Sequence, residues 1–312
     1  MSVPVSFLLD PAGNIVKIYQ NSFTKENIAA DFTNVPKTDP DRLARALPFT
    51  GLNETYDFGR NYLSFGFVFY ECGYFDQARE FFAQALKDAP DSAEALYGLG
   101  SAYLQLQKTN EARDCFERAL KLHAGYPGTL PNCWNNLAIL AAREGNYDLA
   151  VQYFQRALEI DPEHSIALQN LGSAYRQKKD WSRAKATLER ALALNPDDPE
   201  ANYSLGMVYA QQNDTDRAYD YLQKAIAARP GYPEALNNLG ILYLRTHRLD
   251  DAIKSFEQSI RLAPAYDQAY LNLARVYVIE GNREKARAVL RELLNQNPDH
   301  EQAKQELNQL GE

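Results

Sequence analysis

The chain has 312 residues and a formal net charge of −8, with 45% hydrophobic and 24% charged residues. This composition excludes an intrinsically disordered chain, and the acidic balance argues against a nucleic-acid partner, because nucleic-acid binding depends on neutralising phosphates. No run of about 18 apolar residues occurs, so we expect no membrane span.

The first 58 residues differ in pattern from the rest of the chain. Val5–Tyr19 consists of two apolar runs around a Pro-Ala-Gly turn and predicts two strands, and Thr24–Phe32 predicts a short capped helix. Residues 1–32 resemble the C-terminal part of a thioredoxin-like fold, in which Pro4 would be the cis-proline that opens the strand. The catalytic CxxC of that family lies in the half that is absent, so the resemblance implies no redox catalysis here.

This N-terminal segment leaves several alternatives open. An isolated hairpin is marginal in water, so its apolar side chains are expected to pack on the following residues or to pair with a second copy in a homodimer. The resemblance favours a fragment of a larger protein over a remnant kept for structure. It also favours the bacterial periplasm, whereas the lack of a visible signal peptide favours the cytoplasm. Residues 33–58 are predicted to be a linker.

The remaining residues repeat a motif in which a small residue follows a large apolar one. The small residue recurs with spacings of 34, 38, 34, 34, 34 and 34, at Gly66, Gly100, Ala138, Gly172, Gly206, Gly240 and Ala274. A fixed period of this size indicates an array of helical repeats.

One unit shows how each repeat is built. The apolar spacing predicts helices at Ser165–Gln177 and Trp181–Leu194, and Pro196 ends the second of them. Asp198 is predicted to cap the next helix. Gly172 is small, so the two helices can approach closely at that position.

The repeated positions resemble the tetratricopeptide repeat family, including Trp134 at the aromatic position near the start of a first helix. The resemblance implies an all-α fold: a right-handed superhelical solenoid of antiparallel helix pairs, preceded here by the small hairpin and helix. About seven units are predicted, and the second carries a four-residue insertion within His123–Pro131. Residues 299–312 are predicted to form a capping helix. The predicted units are 59–92, 93–130, 131–164, 165–198, 199–232, 233–266 and 267–298.

Asparagines recur on one face of the first helices. Asn238 lies about 160° around the helix from Gly240, so it cannot belong to the core between the paired helices. In tetratricopeptide repeats this flank lines the concave groove. The predicted peptide-binding residues at this and the adjoining position are Asn136, Asn170, Asn238, Asn272, Asn135, Asn237, Tyr97 and Tyr203.

An asparagine amide offers one acceptor and two donors, so it can bind a peptide backbone unit whatever its side chain. The pattern resembles the asparagine ladder in the repeat domain of O-GlcNAc transferases, which implies an extended peptide as ligand. The alternative is that these amides bond to neighbouring helices or to water.

Four arginines lie further along the first helices, at Arg143, Arg176, Arg245 and Arg275. Arginines on the inner side favour an acidic or C-terminal ligand. The carboxylate-clamp subtype of the family is not supported, because no lysine occupies the required groove position in any unit.

These observations predict a protein–protein interaction scaffold that is not an enzyme and has no cofactor. No P-loop, GxSxG or HExxH motif occurs, and no cysteine or histidine spacing suggests a metal site. The alternatives are the substrate-recruiting or regulatory region of a larger enzyme or thioredoxin-like redox protein, and a self-assembly module.

Overall fold

The computed structural model describes residues 6–9, 15–19 and 62–311, within two compact units at 1–60 and 61–312. In the first unit, strands β1 (Ser6–Leu9) and β2 (Ile15–Tyr19) pair in an antiparallel hairpin, with an irregular step between Leu8 and Leu9. Both predicted strands are therefore present.

Other expectations for this segment lie outside the described residues. They are the turn between the strands, Pro4, the helix at Thr24–Phe32 and the linker at 33–58. The thioredoxin-like resemblance stays a prediction.

The described part of the second unit is entirely helical outside its turns. Its helices are α1 (Tyr62–Glu71), α2 (Phe75–Asp88), α3 (Ala93–Gln105), α4 (Thr109–Ala119), α5 (Thr129–Arg143), α6 (Tyr147–Ile160), α7 (Ser165–Gln177), α8 (Trp181–Leu194), α9 (Pro199–Gln211), α10 (Thr215–Ala228), α11 (Pro233–Arg245), α12 (Leu249–Leu262), α13 (Asp267–Ile279), α14 (Arg283–Gln296) and α15 (Glu301–Gln309). Among the residues described, no helix is long and apolar enough to cross a bilayer.

Helices α1 to α14 pack as consecutive pairs, each with a first helix (odd number) and a second helix (even number). Successive first helices also contact one another at every step from α1 to α13, whereas successive second helices approach each other far less. In a curved stack, the elements that lie closest together are on the inside. The first helices therefore form the concave side of the superhelix, which we call the inner wall.

The contact within each pair depends on the small residue of the motif. A Cβ on Gly172 would lie 2.5 Å from Leu188 Cγ, and one on Gly240 would lie 2.6 Å from Phe256 Cε1. A large side chain of the second helix thus occupies the space that the glycine leaves. The resulting core runs without a break from α5 to α14.

The last helix covers the end of this core. Ala303 and Leu307 of α15 are buried and pack in one cluster with Tyr270, Leu290 and Leu293. Their spacing puts both residues on one face of α15, while most of its other residues are exposed. This arrangement is that of a capping helix for a repeat array.

Each turn within a pair contains one residue in the left-handed region of the backbone. These residues have φ between 58° and 81° and are Gly73, Gln107, Gly145, Lys179, Asn213, His247 and Gly281. Their amides, and those that follow, bond to the last carbonyls of the first helix. The turn therefore acts as a left-handed C-cap whether or not it contains glycine.

The insertion changes one connection between pairs. Helix α5 begins at Thr129, two residues before the predicted unit boundary. The longer loop is held by Glu94, whose Oε1 accepts hydrogen bonds from the amides of Gly125 (2.6 Å) and Tyr126 (3.1 Å). The insertion thus adds length without separating the two pairs.

Candidate functional site

Amide side chains on the inner wall connect successive first helices. Asn170 Nδ2 donates to Asn135 Oδ1 at 3.1 Å, and Asn272 Nδ2 donates to Asn237 Oδ1 at 2.9 Å. Asn238 Nδ2 donates in the same way to the hydroxyl of Tyr203 at 3.1 Å. Each bond joins residues 35 positions apart. We call these three bonds the amide ladder.

Three of the predicted site residues lie inside the junctions between first helices. Asn135, Asn237 and Asn272 are 4%, 2% and 3% exposed, respectively. Asn237 also donates to the hydroxyl of Tyr266 at 3.5 Å, so its amide is bonded on both sides. These residues stabilise the stacking of repeats, as buried and satisfied amides do.

The amides of Asn136, Asn170 and Asn238 are only half-buried. Asn238 uses both donors, toward Tyr203 and the Glu234 carbonyl (2.8 Å), and its Oδ1 accepts no bond in the described chain. Asn170 retains its Oδ1 and one donor. Asn136 Oδ1 accepts from Asn135 at 3.4 Å, and its two donors have no partner among the residues described. These are the groups through which the inner wall can bind another backbone.

A cavity of about 280 Å³ lies beside Asn170, between α5 and α7. It brings Arg143 and Asn170 together, with an aromatic floor at Phe154. Its remaining lining residues are Ile139, Ala142, Tyr147, Ser173, Ala174 and Gln177. An apolar floor with polar groups at the edge is suited to holding one side chain of a ligand.

Tyr203 forms a second cluster between α7 and α9. The Arg176 guanidinium lies 5.9 Å from the ring centre of Tyr203, and the ring of Tyr232 lies 5.0 Å from it. Burial raises the pKa of Tyr203 above its ordinary value, so the phenol stays neutral. Its oxygen accepts from Asn238, and its own proton is available to a ligand.

The remaining predicted residues are distributed along the same wall. Tyr97 is half-buried, with its ring centre 6.4 Å from that of Phe67, and burial raises its pKa. Arg245 donates to the Ala210 carbonyl at 3.4 Å. Arg143 and Arg275 are exposed. The site residues are therefore not one cluster but a series along the inner wall.

Sequence reasoning missed Tyr232 and Tyr266, which precede α11 and α13 at equivalent positions. Tyr232 packs on Tyr203, and the Tyr266 hydroxyl accepts from Asn237. The signal was the recurrence of tyrosine 34 residues apart in Pro-Gly-Tyr and Pro-Ala-Tyr. Both tyrosines lie outside the helices, so the repeat of helical positions alone does not reveal them.

Comparisons with known proteins agree with this fold. A family model described as "Cilia and flagella-associated protein 70 C-terminal domain" matches residues 59–237, more than half of the chain. Two tetratricopeptide repeat models match residues 221–254 and 247–310. The repeats predicted from the sequence are thus confirmed, although their number and boundaries stay predictions.

Two curated relatives match segments of about 100 residues. The human "Protein O-mannosyl-transferase TMTC3" is 32% identical over 97 residues, 30% of this chain and 10% of the relative. The Arabidopsis thaliana "Protein CTR9 homolog" is 31% identical over 108 residues, 35% of this chain and 10% of the relative. The matches thus span about a tenth of each relative.

Two solved structures share the architecture. The APC/C hetero-tetramer Cut9–Hcn1 has a TM-score of 0.70 at 22% identity, over 82% of this chain and 50% of that one. The type IV pilus biogenesis factor PilW has a TM-score of 0.62 at 23% identity, over 69% of this chain and 98% of that one. These likenesses show the superhelical fold. With the family match, they show that the chain is built from tetratricopeptide repeats and belongs to the family of the cilia and flagella-associated protein 70 C-terminal domain.

Proposed function

We propose that this protein is an interaction scaffold whose inner wall binds an extended peptide or protein segment. Repeat solenoids present long concave surfaces of this kind. The observation that supports the proposal is the set of unused hydrogen-bonding groups on Asn136, Asn170 and Asn238, of which Asn170 lines a cavity with an apolar floor.

The proposed contact is between side-chain amides and the ligand backbone. An extended backbone offers one N–H and one C=O per residue, and Asn170 can bind both through its free Oδ1 and second donor. Asn238 can only accept, through Oδ1, while the neighbouring Tyr203 can donate. Apolar ligand side chains would fill the cavity at Phe154. The backbone contacts would give affinity, and the cavity would give selectivity.

The experiment compares peptide binding by Asn170→Ala and Asn238→Ala with binding by wild type, using a library of extended peptides. A hydrogen bond of this kind is worth about 0.5–1.5 kcal/mol, so the double variant should bind about tenfold more weakly. Both substitutions also remove a bond of the amide ladder, so each variant's unfolding must be measured in parallel.

Asn272→Ala is the matched control. It removes an equivalent ladder bond at a residue that is almost fully buried. It should lower stability without affecting peptide binding at the cavity. Equal losses of affinity in Asn272→Ala and Asn170→Ala would mean that the amides act only on stacking, and the peptide proposal would fail.

A second candidate is that the repeats recruit substrates for a larger enzyme or a thioredoxin-like redox protein. One relative bears the name of an O-mannosyl-transferase, and the match covers only a small part of it. The repeats themselves would then be non-catalytic. Mass spectrometry of the endogenous protein tests this: a mass well above 35.3 kDa supports the candidate.

Self-association through the β1–β2 hairpin remains a third proposal. It depends on side chains outside those described, and light scattering over a range of concentrations tests it. A monomeric mass at every concentration would exclude a homodimer. The compartment, cytoplasmic or periplasmic, stays a prediction.

A further inference from the structure

From α3 to α13, the first helices carry charge of a single sign once their first two residues are passed. After those residues, helices α3, α5, α7, α9, α11 and α13 contain no aspartate, glutamate or lysine. They contain four arginines, Arg143, Arg176, Arg245 and Arg275. In a protein of net charge −8, these stretches are locally positive, whereas carboxylates lie at the starts of four of these helices and at the end of α1.

These four arginines also differ from most of the others in their partners. None has a carboxylate within 4.0 Å in the described chain, whereas nine of the thirteen other described arginines form ion pairs. Arg156 on α6, for example, pairs with Glu159 at 2.8 Å. The second helices and turns thus neutralise most of their own arginines, and the inner wall does not.

Four acidic residues lie in the first two positions of the first helices, and three of them are engaged by neighbours. Glu94 of α3 accepts from the loop after α4, Glu200 of α9 pairs with Arg229 at 2.6 Å, and Asp267 of α13 accepts from Asn297 at 3.2 Å. These three carboxylates hold connections between pairs. The fourth, Glu234 of α11, forms no ion pair among the described residues and adds to burial in raising the pKa of Tyr203.

Three of the arginines lie at consecutive junctions of first helices. Arg143 faces the α5–α7 cavity, Arg176 lies over Tyr203 of α9, and Arg245 of α11 reaches back to the Ala210 carbonyl of α9. Packed helices are about 8–10 Å apart, and an extended peptide advances about 3.3 Å per residue. Successive junctions are therefore about three peptide residues apart.

Arg176 presents the outer end of its guanidinium to a ligand. Its Nε is buried, whereas its two Nη groups have no hydrogen-bond partner in the described chain and are not among the buried atoms. A carboxylate above Tyr203 would accept charge-assisted bonds from these Nη groups.

We propose that the bound segment is an acidic extended peptide whose carboxylates recur about every third residue and bind Arg143, Arg176 and Arg245 in turn. This inference rests on the proposed function, because it specifies the ligand of the same wall. Single-stranded nucleic acid is less favoured, since the rest of the acidic surface would repel a longer polyanion.

The test uses two synthetic peptides of identical composition. One has glutamates at every third position and the other has the same glutamates in one block, and a glutamine version of each is neutral. The spaced acidic peptide should bind at least about tenfold more tightly than the block peptide, and its affinity should fall with added salt. Arg143→Gln, Arg176→Gln and Arg245→Gln should each weaken its binding severalfold.

Arg156→Gln is the control, because it removes one exposed positive charge from a second helix. Equal losses in Arg156→Gln and Arg176→Gln would overturn the inference, because only overall charge would then matter. Equal binding of acidic and neutral peptides, weakened by Asn170→Ala but not by the arginine variants, would also overturn it and leave the proposed groove intact. Binding of neither peptide would reject both proposals, and preference for a single-stranded oligonucleotide would reject the peptide ligand.

Discussion

At the scale of single residues, the repeats use the same backbone geometry with different side chains. Every described turn within a pair has one residue with positive φ, and glycine occupies only three of the seven positions. For most residues the left-handed region costs about 1–2 kcal/mol, while glycine adopts it freely. Four turns therefore carry a strain that three do not.

Lys179→Gly should stabilise the protein by about 0.5–1 kcal/mol. The substitution removes the left-handed strain, and the greater freedom of glycine in the unfolded chain offsets part of the gain. The free energy of unfolding in urea measures this gain in stability. Asn213→Gly is the matched control and should be stabilised less, because asparagine tolerates the left-handed conformation. Stabilisation of both variants by the same amount would contradict the explanation.

His164 predicts a pH dependence of stability. Its Nδ1 accepts from the Ala167 amide at 3.3 Å as the cap of α7, and its Nε2–H donates to Asn132 Oδ1 at 2.9 Å. The Nδ1 contact requires the neutral ring, because a protonated Nδ1 can no longer accept the amide, and burial lowers the pKa of His164 below its ordinary value. The stabilisation is therefore complete above the unfolded pKa near 6.5 and is lost as the pH falls through the lower folded pKa.

His164→Asp should remove this dependence. Asp198 fills the equivalent capping position in the next unit and accepts from the Ala201 amide at 2.7 Å, so an aspartate can cap here. Between pH 8 and pH 5, the urea midpoint of wild type should fall more than that of the variant. If the urea midpoints of wild type and variant fall equally between pH 8 and pH 5, His164 does not titrate over this range.

At the scale of elements, the closeness of each helix pair depends on what faces the small residue. Gly172→Ala would place a methyl group 2.5 Å from Leu188 Cγ, whereas Gly206→Ala would place it 3.1 Å from Leu222 Cγ. Overpacking costs about 1–3 kcal/mol, and alanine recovers up to about 1 kcal/mol of helix propensity. The two substitutions, although made at the same repeat position, should thus differ in their effect on the stability of the protein.

We expect Gly172→Ala to be less stable than Gly206→Ala by about 1 kcal/mol or more. Thermal and urea unfolding of the two single variants measure the difference. Combining Gly172→Ala with Leu188→Ala should show favourable coupling, because the smaller side chain makes room for the methyl group. Additive effects of the two substitutions would place the strain elsewhere.

The elements were predictable where local rules determine them. The bounds of α7 and α8 agree with the sequence prediction, because the apolar spacing, Pro196 and the Asp198 cap all act locally. The buried position of Asn237 was not predictable in this way. A helical wheel drawn for one helix pair distinguishes only two faces, one toward the core and one toward the groove. A first helix has a third face, toward the next first helix, and Asn237 lies there.

At the scale of the whole molecule, each helix pair needs a neighbour on both sides, and α15 provides the last one. Leu307→Asp would place a charge among Tyr270, Leu290 and Leu293. Burying an unpaired charge is costly, so α15 should detach and expose the end of the core. Light scattering should then show concentration-dependent association. Gln309→Asp, at an exposed position of α15, should remain like wild type; association of both variants would implicate charge alone.

The amide ladder also determines how the array should respond to a pulling force. The junctions between first helices are joined end to end, so each bears the same tension and the array is only as strong as its weakest junction. The ladder has no amide bond at the α1–α3, α3–α5 and α7–α9 junctions of the described chain, and at α7–α9 the hydroxyls of Ser173 and Ser204 meet at 3.0 Å instead. We expect a stretched molecule to open at one of these three junctions before the amide-bonded ones, and opening at α7–α9 would divide the wall between Arg143 and Arg245.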